Sequence, residues 1–211
     1  MIGKVASAGR DFKGVVAYLL DGKRGTAPKG GRVAWVEARN LLVDDPRLNA
    51  RVMQATARRS VRCKAPVYHF LVSWHRLDAP TNEMMRAVAD TTCEDIGLGE
   101  HQRVLVAHED TAHRHVHIVV NRVHPESGKA WNRRQDFVRI EQSLRRQSEA
   151  LGLPIVPGRE AGSPLVTEMD VAIGMYRLGL ASRDAVKKVA DERARRLSEA
   201  PRISKLAMPC G

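Results

Sequence analysis

The amino-acid sequence predicts an α/β (α+β) domain, and three observations carry that expectation. The runs VYHFLVSW, RVLVAH and HVHIVVNRV are rich in β-branched and aromatic residues and read as strands. Segments with apolar residues at three- and four-residue spacing alternate with them and read as helices. The second and third of these runs are joined by the polar loop Glu109–Arg114, which pairs them antiparallel.

In chain order, a short strand is expected around Gly3–Ala8. Asp11–Leu20 then places Phe12, Val15, Val16 and Leu19 on one helical stripe with Tyr18 at its edge. Asp21–Gly31, rich in Gly, Lys and Arg, reads as an exposed basic loop. Arg47–Val61 is a helix opened by Asp45-Pro46, with Leu48, Val52 and Ala55 inward and arginines outward. The strand Val67–Trp74 turns Tyr68, Phe70, Val72 and Trp74 one way and Val67, His69, Leu71 and Ser73 the other. Thr81 caps the next helix, whose inward residues are Met84, Met85, Val88, Thr92 and Ile96 and which stops near Gly97-Leu98-Gly99. After the hairpin strands Arg103–His108 and His115–Val123 comes the helix Asp136–Leu151, with Phe137, Ile140, Leu144 and Leu151 inward and Gly152 as its stop. Gly152–Ser163 looks like a domain edge, and Glu168–Leu180 and Ser182–Glu199 read as two short helices.

Composition narrows the partners. The chain has 211 residues, 43% of them hydrophobic, a formal charge of +11 and a pI near 10.1. That balance favours a polyanionic partner. The surplus is local: residues 1–64 hold 14 Lys/Arg against 5 Asp/Glu, whereas residues 65–159 hold 12 of each. No segment has the length of a membrane span or the apolar region of a secretory signal, so the expected location is the cytoplasm. Cys63, Cys93 and Cys210 lie far apart with no CxxC spacing, which indicates reduced thiols.

Six of the eight histidines fall within His101–His124. The pattern H-x-D-x-x-H-x-H-x-H is formed by His108, Asp110, His113, His115 and His117. Alternation puts His115 and His117 on one strand face about 7 Å apart. Val104, Val106 and His108 share a face of the neighbouring strand, so three imidazoles can converge on one ion and leave coordination positions open. Asp110 suits a partner that orients an imidazole, or a proton acceptor, and His113 is a possible further partner. His69, His75, His101 and His124 lack this spacing and read as ordinary structural residues, His69 standing apart only because it shares a face with Ser73.

The segment HEDTAHRHVHIVVNRVHP closely resembles the third motif of conjugative relaxases of the MobA/MobL type, the MOBP group of the HUH endonucleases. The resemblance covers about residues 1–155 and implies a two-layer sandwich with a central, mainly antiparallel sheet flanked by helices. It implies that His108, His115 and His117 bind a divalent metal, that Asp110 is the motif's aspartate, and that Asn121 belongs to the DNA-contacting pattern. YHFLVSW resembles the family's second motif, with Ser73 as the DNA-contacting serine. VVAYLLDGKRG supplies the tyrosine of the first motif, Tyr18; Tyr68 and Tyr176 are the other tyrosines. The implied reaction is strand-specific nicking and rejoining at an origin of transfer through a 5′-phosphotyrosyl intermediate. It proceeds on single-stranded DNA, alongside accessory relaxosome proteins and a coupling protein leading to a secretion channel. Lys23, Arg24, Lys29 and Arg32 are expected to contact phosphates. Imidazole ligands suit Zn, Mn, Fe or Ni better than Mg, while the family implies Mg or Mn.

Two other classes fit parts of the sequence. A rolling-circle replication initiator shares the chemistry but usually places its tyrosine after the histidines. A non-enzymatic nucleic-acid-binding domain with a structural metal explains the charge but not an open site beside a tyrosine. Residues 156–211 are expected to be a linker and short helical extension, the start of a longer chain.

Overall fold

The computed structural model describes residues 1–23, 31–111, 113–155 and seven positions between Ser182 and Arg195. Residues Met1–Val156 form one compact unit and Pro157–Gly211 a second. In the second unit Asp184, Lys187, Lys188, Asp191, Glu192 and Arg195 are helical, with Arg195 paired to Glu192 at 2.7 Å. The helix expected over Glu168–Leu180 lies outside the described residues, as do Tyr176 and Cys210.

The first unit runs β1 (Ile2–Val5), α1 (Phe12–Asp21), β2 (Val33–Arg39), α2 (Pro46–Ala57), β3 (Val67–Ser73), α3 (Asn82–Asp95), β4 (Arg103–His108), β5 (His115–Asn121) and α4 (Asp136–Ala150). The strands form one sheet in the order β1-β3-β5-β4-β2, and every neighbouring pair is antiparallel. The α+β class with a central antiparallel sheet flanked by helices is as expected. The helices cover both faces, giving three layers where two were expected.

Alternation along the strands sorts the two cores. Tyr68, Phe70, Val72 and Trp74 of β3, with Leu105, Ala107, Val116, Ile118 and Val120, pack against Met85, Val88, Ala89 and Cys93 of α3 and Ile140 and Leu144 of α4. The opposite face carries Val67, Val104, Val106 and Val119, which pack against Phe12, Val16 and Leu19 of α1 and Ala50, Met53 and Ala57 of α2. The helix starts follow the capping rules: Asp11 accepts from the Lys13 N–H, Asp45 from the Arg47 N–H, and Thr81 from the Met84 N–H.

Three local expectations are corrected. Strand β2 was not anticipated, because VAWVEAR lacks a clean alternation; as an edge strand it is half-buried along its whole length. The inward face of α2 is Asn49, Ala50, Met53 and Ala57 rather than Leu48, Val52 and Ala55, since that helical stripe is the one that meets Phe12, Val16 and Leu19 of α1. Phe137 and Leu151, expected inside, are 46% and 38% exposed at the two ends of α4.

Candidate metal centre and nucleophile

The register of the three central strands assembles the centre. His108, the last residue of β4, lies directly across from His115, the first of β5, and Ser73, the last of β3, lies across from His115 on the other side. His117 is two residues further along the same face, opposite Val106 and Leu71. His108, His115 and His117 thereby bring one ring nitrogen each to within 4.8 Å of one another. His108 and His117 are buried and His115 half-buried.

In each ring one nitrogen is already engaged, which leaves the other available as a ligand. His108 Nε2 lies 2.8 Å from the Leu19 carbonyl, His115 Nδ1 2.9 Å from the His113 carbonyl, and His117 Nδ1 2.9 Å from His69 Nε2. A carbonyl can only accept, so it fixes the proton on the engaged nitrogen and keeps the other free to ligate. Burial also favours the neutral form of His108, His117 and His69. Desolvation lowers His108, with the Leu19 carbonyl opposing it, and pushes His117 down to about 2 and His69 to about 4. Three imidazoles, each oriented by a second partner, fit a divalent first-row ion with positions left for water or phosphate.

Tyr18 sits one residue before the carbonyl that holds His108, on the last turn of α1, and is 53% exposed. Arg32 lies against it, its guanidinium carbon 5.5 Å from the ring centroid, and Arg32 Nε is 3.4 Å from Asp110 Oδ2. Gly22 ends α1 with φ 84° and donates its N–H to the Tyr18 carbonyl. A Cβ there would come within 2.8 Å of Arg32 Nη1, so glycine serves both the backbone and the arginine. Tyr68 faces the other core, where burial raises its phenol well above the ordinary value, and it stands away from the histidine face.

Several expected roles shift. Asp110 pairs with Arg32, and the imidazoles take their hydrogen bonds from Leu19, His113 and His69 instead. The His113 ring points to the Trp74 carbonyl at 3.1 Å; its backbone oxygen, not its imidazole, orients His115. Asn121 is fully buried, with Nδ2 donating to the Met53 carbonyl and to Gln102 Oε1 while Oδ1 accepts from the Val123 N–H. It braces α2 against β5 and offers nothing to DNA. Arg24 and Lys29 lie outside the described residues; Lys23 follows Gly22, the cap of α1. His101, His124 and His75 take structural partners in Asn121, Glu100 and the turn to Asp78, as expected. His69 was missed as a partner of the centre, and its shared strand face with Ser73 was the available signal.

Three imidazoles converge at one end of the sheet, and a hydrogen bond ties one of them to the helix that carries Tyr18. Residues 18–153 match the family described as "Relaxase: MobA/VirD2-like, nuclease domain", and the chain belongs to that family. Protein TraI of Escherichia coli is 39% identical over 117 residues, covering 54% of this chain and 15% of TraI. Protein MobA of Acidithiobacillus ferrooxidans is 32% identical over 77 residues, covering 36% of this chain and 19% of MobA. The chain thus spans less than a fifth of the length of these relatives. Among solved structures, the MobM relaxase domain bound to plasmid pMV158 oriT DNA, in a Mn-bound crystal, aligns with a TM-score of 0.50 at 15% identity. That alignment covers 83% of this chain and 97% of MobM, and it is a likeness of fold.

Proposed function

We propose that residues 1–155 are the nicking domain of a conjugative relaxase, in which Tyr18 cuts one DNA strand at an origin of transfer and the reverse reaction rejoins it. The observation that carries this reading is the Leu19–His108 hydrogen bond, which ties the helix bearing Tyr18 to the three-histidine cluster. The Tyr18 Oη attacks the scissile phosphorus, a P–O bond to tyrosine forms, and the P–O3′ bond breaks. The products are a 5′-phosphotyrosine and a 3′-hydroxyl, and attack by that hydroxyl reverses the exchange without ATP.

A divalent ion held by His108, His115 and His117, Mg or Mn in use, would bind the phosphate oxygens and offset the charge that grows at five-coordinate phosphorus. The chain's own residues supply the rest. A phenol has a pKa of roughly 10, so Tyr18 must lose its proton as it attacks, and Asp110 is the carboxylate that Arg32 holds nearby. Ser73, across from His115, contacts the strand beside the cut. Lys23, Arg24, Lys29 and Arg32 hold phosphates of single-stranded DNA. In the wider reading, the domain works in the cytoplasm with accessory relaxosome proteins, a coupling protein and a secretion channel. Among the described residues no helix is long and apolar enough to cross a membrane.

The test is covalent capture. With Mn present and a single-stranded oligonucleotide spanning the nick site, the wild-type chain forms an adduct that survives denaturing electrophoresis. Tyr18→Phe forms none, since no oxygen remains to take the phosphorus. An undiminished adduct in that variant would place the nucleophile elsewhere.

A further inference from the structure

Two of the three ligand rings are held by backbone carbonyls, and the third is held by another imidazole. His69 lies on the same face of β3 as Ser73 and Leu71, one residue pair deeper than the pair Leu71–His117. Its ring reaches along that face to His117, with centroids 5.1 Å apart and Nε2 2.9 Å from His117 Nδ1. We infer that His69 is a positioning residue for the metal centre, accepting the Nδ1 proton of His117 and so aiming His117 Nε2 at His108 and His115. The inference rests on reading those three residues as metal ligands.

The chemistry separates this contact from packing. Its neighbours on that face of β3 are Val67 and Leu71, and a histidine between two aliphatic residues costs desolvation of a polar ring unless the ring is used. The Leu19 and His113 carbonyls can only accept, so His108 and His115 have no choice of tautomer. An imidazole partner can donate or accept. If His69 carried its proton on Nε2, it would donate to His117 Nδ1, push the His117 proton onto Nε2 and remove the third ligand. With the proton on His69 Nδ1 the pair runs the other way, and His117 Nε2 is left unprotonated as the third ligand of the cluster that brings His108, His115 and His117 together. His117 is therefore the ligand whose competence depends on a side chain.

Side-chain geometry gives a discriminating series. The amide oxygen of glutamine reaches about as far as a histidine Nε2 and can accept there; the asparagine oxygen falls short, near the position of Nδ1; phenylalanine keeps the volume without an acceptor. Mn(II) affinity of the full 211-residue chain, measured by calorimetry and by electron paramagnetic resonance of free Mn(II), is the readout. Thermal melting without metal checks the fold, and His108→Ala serves as the binding-deficient control. His69→Phe and His69→Asn weaken Mn(II) binding by roughly 10- to 100-fold, and His69→Gln restores it to within a few-fold of wild type. Should His69→Phe fail to fold, the Gln and Asn variants carry the comparison. Wild-type affinity in His69→Asn, or an equal loss in His69→Gln, overturns the inference while leaving the three-histidine site standing. A wild-type chain that binds no Mn(II) overturns both.

Discussion

On β3, Tyr68, Phe70, Val72 and Trp74 enter one core while Val67, His69, Leu71 and Ser73 face the other way, and the two sets meet different fates. The first face stays apolar to its last residue, where Trp74 is fully buried. The second begins apolar at Val67, Val104 and Val119 and turns to imidazole and hydroxyl within two residue pairs of its end. The difference teaches how the centre is positioned. Its spacing is set by strand register, and the register is enforced by the dry core behind it, because a one-residue slip would turn every side chain to the wrong face.

The comparison breaks most directly at Phe70, whose ring lies on the dry face, opposite the one that carries the histidines. Phe70→Ala removes a fully buried ring and costs about 3–5 kcal/mol of stability, read by urea unfolding. In the fraction that remains folded, Mn(II) affinity stays near wild type, since no ligand or ligand partner is touched. A folded Phe70→Ala chain with a tenfold weaker site would mean that the two faces are not separable and that cavity collapse reaches the imidazoles.

The two faces were legible to different degrees. Alternation in VYHFLVSW and HVHIVVNRV assigned every residue to its face, and the convergence of His108, His115 and His117 followed from the hairpin alone. What escaped is whatever depends on elements distant in sequence. Leu19 and His108 are 89 positions apart and His69 and His117 are 48 apart, and a backbone carbonyl as a ring's partner leaves no residue-type signal. Strand β2 escaped because Glu37 and Arg39, in the ion pairs Arg86–Glu37 and Arg39–Asp90, interrupt its apolar pattern; yet that strand carries Arg32 to Asp110. Asn121 escaped differently. Its place beside a motif suggested DNA, whereas burial gives it to the protein.

Asn121→Ala sharpens that last point with an intermediate effect. The substitution strips partners from the Met53 carbonyl, the Gln102 amide and the Val123 N–H, all beside the second core, and leaving such groups unpaired costs about 1–3 kcal/mol. Single-stranded DNA affinity, compared at temperatures where both chains are folded, stays at the wild-type value. A folded variant with weakened DNA binding and unchanged melting would return Asn121 to the interface.

The smallest effect is expected where the second face meets solvent. Arg32, one of the proposed phosphate contacts, is joined to both Tyr18 and Asp110. If its charge also neutralises a phosphate, Arg32→Gln lowers the slope of log affinity against log salt by about 0.7, the contribution of one phosphate on a single strand. Affinity at low salt then falls several-fold. If the charge is already spent on Asp110, the slope does not move and only adduct formation slows, because Tyr18 has lost the guanidinium packed on its ring. Measuring the salt slope and the adduct rate on the same variant therefore separates a residue that holds DNA from one that holds the nucleophile.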